Sequence, residues 1–190
     1  MGHKFEAKNK HKLDNEERRR ILPPRETLEK VGLRQGDIIA DVGCGIGYFT
    51  IPAAQIVGSG GKVYAMDILP EMLMEVEKKK TEMSLPIITT IVTEENKLKI
   101  AEDSVTLAFI CNVLHETQNV LSFLSEVKRI VSDNGRVAII EWNKIESDFG
   151  PPLSHRLAKE YVAELLQNSG FRNVQSVDLG DCFYAVLGQR

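Results

Sequence analysis

Short apolar segments rich in β-branched residues recur from residue 37 onward, and segments with helical periodicity separate them. Strands that are apolar throughout are buried on both faces, as happens when crossover helices cover both sides of a parallel sheet. The pattern therefore predicts an α/β fold. The seven candidate strands are residues 38–42, 62–67, 87–92, 105–112, 136–142, 173–179 and 182–188.

Helices are expected in most of the intervening segments. Asp14 can cap a short charged helix that ends before Pro23, and longer helical segments are predicted at residues 24–31, 70–83, 119–131 and 153–169. Only Gly180 and Asp181 join the last two strands, so this pair should be antiparallel. We expect a doubly wound, mostly parallel sheet with an antiparallel last strand and helices on both faces. The chain divides into a polar arm at residues 1–23 and a single domain at residues 24–190.

Charge and composition exclude several classes of protein. The net charge of −3 gives no global basic excess to attract nucleic acid, although the first 20 residues carry seven basic and four acidic side chains. No apolar segment reaches the roughly 18 residues that a membrane span needs. The three cysteines form no CxxC pair, which favours reduced thiols in a cytoplasmic protein. No spacing of His and Cys predicts a metal site.

The most specific feature is the sequence DVGCGIG at residues 41–47, which ends the first predicted strand and precedes a helix. Glycines in such a turn let the backbone approach a ligand, and the helix N-terminus offers free N–H groups. A dinucleotide fold expects G-x-G-x-x-G, but Tyr48 stands where its third glycine would fall. The glycines instead alternate at 43, 45 and 47, two residues after Asp41. This turn predicts a nucleotide-like ligand at the carboxyl edge of the sheet.

The order D-x-G-x-G-x-G resembles the first motif of class I S-adenosylmethionine-dependent methyltransferases. The small-molecule members, of the quinone-biosynthesis and arsenite types, are similar over about residues 24–188. The resemblance implies S-adenosylmethionine as cofactor, S-adenosylhomocysteine as its product, Asp41 near the cofactor's amino group and Asp67 on the ribose hydroxyls. It implies cofactor contacts from Asp41, Gly43, Cys44, Gly45, Gly47, Tyr48, Asp67, Ile68, Glu94, Glu95, Asn96 and Asn112.

Two later segments extend the resemblance. Residues 93–98 resemble the acidic turn after the third strand, where Glu94 is the closest match to the acid that meets the adenine amino group. Residues 109–116 resemble the motif after the fourth strand, where Asn112 would contribute its backbone carbonyl. Simpler interpretations stay open: Glu94 and Glu95 could form a solvated turn, Asp67 could cap the helix that begins near Pro70, and Cys44 could be a small buried hydrophobe.

His115 is the first candidate for a catalytic base, because it follows the carboxyl end of a strand. An oxygen or nitrogen nucleophile must lose a proton, and an imidazole with a reference pKa near 6.5 suits that task. Glu116 or Glu141 would orient His115 or replace it. A structural hydrogen bond is the alternative role for His115. Tyr48 or Trp142 could face the sulfonium through a cation–π contact.

The resemblance implies methyl transfer to a small-molecule acceptor by in-line displacement, with the N-terminal segment as a lid and a homodimer as one possible assembly. Three alternatives stay open. The first is a non-catalytic S-adenosylmethionine-binding protein, which would keep Asp41 and Asp67 without a productive pocket. The second is an NAD(P)-dependent oxidoreductase, which Tyr48 disfavours. The third is an RNA methyltransferase guided by the basic arm, although the rest of the chain is acidic.

Overall fold

The computed structural model of the chain describes residues 13–147 and 149–190, so most of the predicted polar arm lies outside the described residues. Seven strands form one sheet. They are β1 Ile38–Val42, β2 Lys62–Asp67, β3 Ile88–Val92, β4 Val105–Cys111, β5 Val131–Trp142, β6 Arg172–Leu179 and β7 Phe183–Gln189.

The order of the strands in the sheet is β3-β2-β1-β4-β5-β7-β6. Strands β1 to β5 pair in parallel, whereas β7 runs antiparallel to both β5 and β6. The predicted mostly parallel sheet with an antiparallel last strand is therefore confirmed. Because parallel strands end at the same edge, the segments after β1, β2, β3, β4 and β5 all meet at one side of the sheet.

The described part of the chain contains six α-helices: α1 Glu16–Ile21, α2 Pro24–Lys30, α3 Thr50–Val57, α4 Pro70–Glu82, α5 Val120–Ile130 and α6 Lys159–Asn168. Two apolar clusters form the core, one on each face of the sheet. Residues of α2, α3 and α4 pack in the first cluster, and residues of α5 and α6 pack in the second. This arrangement confirms helices on both faces and explains why the inner strands are apolar throughout.

Two helix predictions need correction in detail. The cap of α1 is Asn15, whose side chain accepts from Arg18 N, while Asp14 pairs with Arg19 instead. The helical spacing of Met72, Val76 and Met83 predicts that they share the apolar face of α4. Met72 and Val76 are buried, but Met83 lies at the end of the helix and is 47% exposed.

The single helix predicted over residues 153–169 is wrong. A short 3₁₀ turn at Leu153–His155 is separated from α6 by an extended segment at residues 156–158. The reason is the Arg156 side chain, which is 3% exposed and binds the preceding loop. The spacing of Leu157, Tyr161 and Leu165 predicts one apolar stripe, but Tyr161 is 48% exposed.

Strand β5 begins earlier than predicted. The sequence at 133–135 predicts a turn, and residue Asn134 does adopt a positive φ of 62°. However, Val131 already pairs with Val105 of β4, and the pairing resumes at Arg136 opposite Leu107. The turn residues therefore form a bulge within the strand instead of ending it.

Candidate active site

The glycine turn after β1 is tied to the end of β2. Gly43 N and Cys44 N donate to Met66 O at 2.8 and 2.9 Å. All three glycines have a positive φ, of 75° at Gly43, 53° at Gly45 and 83° at Gly47. A side chain at Gly43 would also overlap Val113. The turn thus needs glycine for its own backbone and packing as well as for any ligand.

Asp41 is buried at the end of β1, where only 3% of the residue is exposed. Its Oδ2 accepts a hydrogen bond from Thr50 Oγ1 at 2.5 Å. Burial raises the pKa of Asp41 to about 7, the Thr50 bond opposes that rise, and the charge of Asp67 adds to it. Thr50 therefore helps to keep the carboxylate charged, a role that the sequence analysis did not assign.

Asp67 joins the glycine turn to the start of α4. Its Oδ2 accepts from Gly45 N and its Oδ1 accepts from Leu69 N, both at 2.9 Å. Burial raises the pKa of Asp67, while the hydrogen bonds from the backbone N–H groups lower it. The helix-cap interpretation is partly right. The Asp67 carboxylate accepts a hydrogen bond from the backbone just before α4, but the N-cap residue of α4 is Leu69. Each oxygen keeps acceptor capacity for a ligand hydroxyl.

The segment after β4 presents two polar groups at the same edge. Asn112 has a positive φ of 58°, and its side-chain Oδ1 is buried with no hydrogen-bond partner. Buried acceptors without a partner are rare and point to a missing donor. His115 lies in the 3₁₀ turn Leu114–Glu116 that follows.

His115 and Glu141 form a buried pair. His115 Nδ1 lies 2.7 Å from Glu141 Oε2, and the His115 backbone N–H donates to Glu141 Oε1 at 3.2 Å. Glu116 Oε1 lies 3.9 Å from His115 Nε2. Burial lowers the pKa of His115, but the hydrogen bond and the charge of Glu141, with that of Glu116, together raise it above its usual value. The structure thus brings together all three predicted catalytic candidates.

Comparison with known proteins identifies the fold. The family described as "Methyltransferase domain" matches residues 40–139, more than half of the chain. The crystal structure of a SAM-dependent methyltransferase from Aquifex aeolicus is 32% identical, with a TM-score of 0.93, over 98% of this chain and 99% of that one. The chain belongs to the class I S-adenosylmethionine-dependent methyltransferases.

More distant relatives agree with this assignment. The demethylmenaquinone methyltransferase of Oceanobacillus iheyensis is 27% identical over 62% of this chain, which spans about half (49%) of that protein. The S-adenosylmethionine complex of Haemonchus contortus phosphoethanolamine N-methyltransferase 2 has a TM-score of 0.73 at 13% identity, over 90% of this chain and 52% of that one. This last similarity supports the fold of the methyltransferase and no more.

The residues present in the methyltransferase fit its cofactor. S-adenosylmethionine carries a sulfonium and an ammonium, and two buried carboxylates, Asp41 and Asp67, flank the glycine turn. Within the described residues, neither carboxylate forms an ion pair with a basic side chain. The unpartnered Asn112 Oδ1 adds a neutral acceptor near them. The edge of the sheet therefore has a negative potential and spare acceptors, which suit a cationic ligand with amino and hydroxyl donors.

In the turn after β3, the two acidic residues proposed to contact the adenine have different partners. Glu94 is exposed and forms an ion pair with Lys99 at 3.2 Å. Glu95 Oε1 instead accepts from Gln118 N at 2.8 Å and from Asn119 N at 3.3 Å, next to the start of α5. Glu95 thus holds α5 in place, and Glu94 stays the proposed partner of the adenine amino group. Ile68 and Asn96 lie at this end of the site and are exposed.

Neither aromatic residue offers a free ring face of the kind that the sulfonium hypothesis requires. The Arg18 guanidinium carbon lies 4.7 Å from the Tyr48 ring centroid, and that of Arg19 lies 5.8 Å away. The Arg156 guanidinium lies 5.4 Å from the Trp142 centroid. Each ring already has a cationic neighbour, so the cation–π role is not supported.

Besides Thr50, the sequence analysis did not single out Arg156, which is buried, or Arg18, which is half-buried against Tyr48. The Arg156 guanidinium donates to the carbonyls of Ile145, Phe149 and Pro151 at 2.7 to 2.9 Å, so it organises the loop beside Glu141. Nothing in the local sequence distinguishes it from a surface arginine. Arg18 stands in a run of three arginines, whose sequence does not reveal which one faces inward.

Proposed function

We propose that the protein transfers the methyl group of S-adenosylmethionine to a small-molecule acceptor by in-line displacement, and that His115 acts as the general base. The observation that carries the proposal is the buried His115–Glu141 pair at the ends of β4 and β5, the two strands that follow β1 and its acidic glycine turn in the sheet order. The proposed cofactor site and the proposed proton acceptor would then lie side by side, as methyl transfer to a hydroxyl or amine would need.

The cofactor, when bound, supplies a methyl group on a strongly electrophilic sulfonium. Asp67 would hold the ribose hydroxyls, Glu94 the adenine amino group and Asp41 the amino group of the methionyl end. The backbone of Asn112, together with Gly43, Cys44, Gly45, Gly47 and Tyr48, would line the methionyl side. These assignments rest on the contacts already described and on the resemblance to the family.

The chain's own residues would handle the proton of the acceptor. A carboxylate can only accept a hydrogen bond, so Glu141 keeps the proton of a neutral His115 ring on Nδ1 and leaves Nε2 as the acceptor. Glu116 lies on the Nε2 side and would stabilise the imidazolium that forms. Because Glu141 is fully buried, its own position is fixed by packing within β5.

The acceptor is proposed to be a small molecule with an ionisable hydroxyl or related group. Curated relatives are named for demethylmenaquinone, so a quinol-type ring is the first acceptor to test. The acidic balance of the chain disfavours nucleic acid as acceptor. We also propose a cytoplasmic location, because the described cysteines are all free thiols. Within the described residues, no helix is long and apolar enough to cross a membrane.

The first experiment is calorimetric titration with S-adenosylmethionine, S-adenosylhomocysteine and NADH. Binding of the two sulfur ligands tighter than about 100 μM, with none for NADH, is expected. Release of S-adenosylhomocysteine is then followed against a panel of ring hydroxyl, amine and thiol acceptors. Binding without turnover on any of them would favour the non-catalytic alternative, and binding of NADH alone would defeat the proposal.

A further inference from the structure

The segment at residues 13–22 packs on the cofactor side of the glycine turn. Tyr48 Oη donates to Leu22 O at 2.8 Å. At the other end of the segment, Leu13 Cδ1 lies 3.1 Å from the position that a Cβ on Gly45 would take. Helix α1, which lies between these two contacts, therefore crosses the edge of the sheet next to the methionyl side of the site.

Arg18 is the arginine of α1 that lies deepest in this contact. Its guanidinium lies over the Tyr48 ring, and its Nε is buried without a hydrogen-bond partner. Arg19, by contrast, forms an ion pair with Asp14 at 2.7 Å. No carboxylate among residues 13–147 and 149–190 forms an ion pair with Arg18. Burying a guanidinium donor without an acceptor costs free energy, and an anion that accepts from this donor would offset the cost.

Arg18 also interacts with Cys111, through its charge and through hydrogen bonding. The positive charge of Arg18 lowers the pKa of the Cys111 thiol, opposing the burial that raises it to about 12. Cys111 is the last residue of β4 and immediately precedes Asn112. Tyr48 immediately follows the glycine turn. Both neighbours of Arg18 therefore adjoin segments that are proposed to line the methionyl side of the site.

The methionyl end of the proposed cofactor carries one ammonium and one carboxylate. The carboxylate Asp41 offers the ammonium a negative partner nearby, but the cofactor carboxylate needs a cation. A guanidinium matches a carboxylate well, because two parallel N–H groups can donate to its two oxygens. Arg18 is the cationic side chain that the described structure places beside Tyr48 and Cys111 with a donor to spare.

We propose that Arg18 binds the α-carboxylate of the methionyl group, so that α1 holds the cofactor as well as covering it. The inference rests on the proposed function, since it takes S-adenosylmethionine as the ligand. It goes further by assigning the carboxylate to one residue outside the glycine turn. It also gives α1 a specific role: the helix distinguishes the complete cofactor from one that lacks the carboxylate.

The test is calorimetric binding of S-adenosylmethionine, S-adenosylhomocysteine and decarboxylated S-adenosylmethionine to four proteins. These are the wild type, Arg18→Gln, Arg18→Lys and the control Arg20→Gln, which removes the same charge from an exposed position of the same helix. Arg18→Gln should bind the two complete ligands about 10- to 100-fold more weakly. Its affinity for the decarboxylated ligand should be unchanged or improved. Arg18→Lys should lie in between, and Arg20→Gln should behave as the wild type.

Other results would overturn the inference in distinguishable ways. Equal loss of affinity for all three ligands would mean that Arg18 only supports the fold of α1. Cofactor affinity in Arg18→Gln equal to that in Arg20→Gln would remove the carboxylate assignment and leave the proposed function intact. If Arg18→Gln weakened only the binding of acidic acceptors, that result would also remove the carboxylate assignment and leave the proposed function intact. Failure of the wild type to bind any of the ligands would overturn the proposed function and this inference together.

Discussion

Glu141 holds His115 by both its ring and its backbone: one carboxylate oxygen lies 2.7 Å from Nδ1, and the other accepts the backbone N–H at 3.2 Å. The two residues are 26 positions apart in sequence and meet because β4 and β5 are neighbours. Such two-point binding fixes the orientation of the imidazole as well as the position of its proton.

Replacing His115 should separate catalysis from cofactor binding. His115→Ala removes the proposed base and should lower kcat by about 100-fold or more, in line with the usual contribution of general bases. The affinity for S-adenosylmethionine should change by less than about threefold. Stopped-assay kinetics and calorimetry on the same preparation measure both quantities. If kcat were unchanged for a hydroxyl acceptor, His115 would have only a structural role.

Glu141→Gln should shift the pH dependence of the reaction. Glu141 raises the pKa of His115 in the folded protein, so its loss lowers that pKa. A base with a lower pKa stays deprotonated to lower pH. The acidic limb of the kcat profile should therefore move to lower pH in the variant, with a lower plateau because the ring is less well oriented. A profile that keeps its acidic limb in place would show that the pair does not control the reaction.

Cofactor affinity should rise with pH through about 7. Burial raises the pKa of Asp41 to about 7, so the carboxylate is mostly protonated below that value and charged above it. A cationic ligand favours the charged form, and binding should therefore be stronger at pH 8 than at pH 6. Calorimetry across this range measures the effect. Asp41→Asn should bind more weakly at high pH and lose most of the pH dependence, whereas a wild-type slope in this variant would contradict the prediction.

Asp67→Ala should weaken cofactor binding by about 10- to 100-fold, or roughly 1.4 to 2.8 kcal/mol. The substitution removes the proposed ribose acceptors and also releases Gly45 N and Leu69 N from the carboxylate. Asp181→Ala, in the exposed hairpin after β6, is the matched control. Calorimetry with S-adenosylhomocysteine provides the measurement. Equal affinity in both variants would argue against the ribose assignment.

Arg156→Met should loosen the loop before α6. Its guanidinium satisfies four backbone carbonyls and Ser147 Oγ, and the packing on Trp142 would remain in part. The free energy of unfolding should fall by about 2 to 4 kcal/mol, because several acceptors lose their donor at once. Urea denaturation measures the loss. Arg25→Met, in an exposed pair with Glu29, should change the stability by less than about 0.5 kcal/mol.

Local signals made much of the fold predictable. The strands at 38–42 and 62–67 match the structure because their apolar residues continue without interruption and clear turns bound them. The glycine turn was recognised because its spacing is a property of five adjacent positions. The single helix at 153–169 was wrong because Arg156 gains more from carbonyls of the preceding loop than from continuing the helix, and no helical periodicity encodes that loop.

The site was predictable in its residues but not in their contacts. His115 and Glu141 were each placed at the end of a strand, yet only the order of the strands brings the two together. Arg18 could not be selected from its neighbours, because the direction of each arginine depends on how α1 lies on Tyr48. Similarly, the sequence favoured Glu94 over Glu95 by resemblance, but it could not show that Glu95 accepts from the backbone before α5 or that Glu94 pairs with Lys99.

The position of β7 inside the sheet has a consequence for how the protein is made. Strand β5 pairs with β4 on one side and with β7 on the other, and Glu141 stands opposite Tyr184 in that second ladder. During synthesis, β5 therefore stays an open edge until the final strand has left the ribosome. An open, apolar edge can pair with other chains. The acid that orients His115 is thus the part of the active site that becomes sheltered last, and a nascent chain is most exposed to misassembly at that strand.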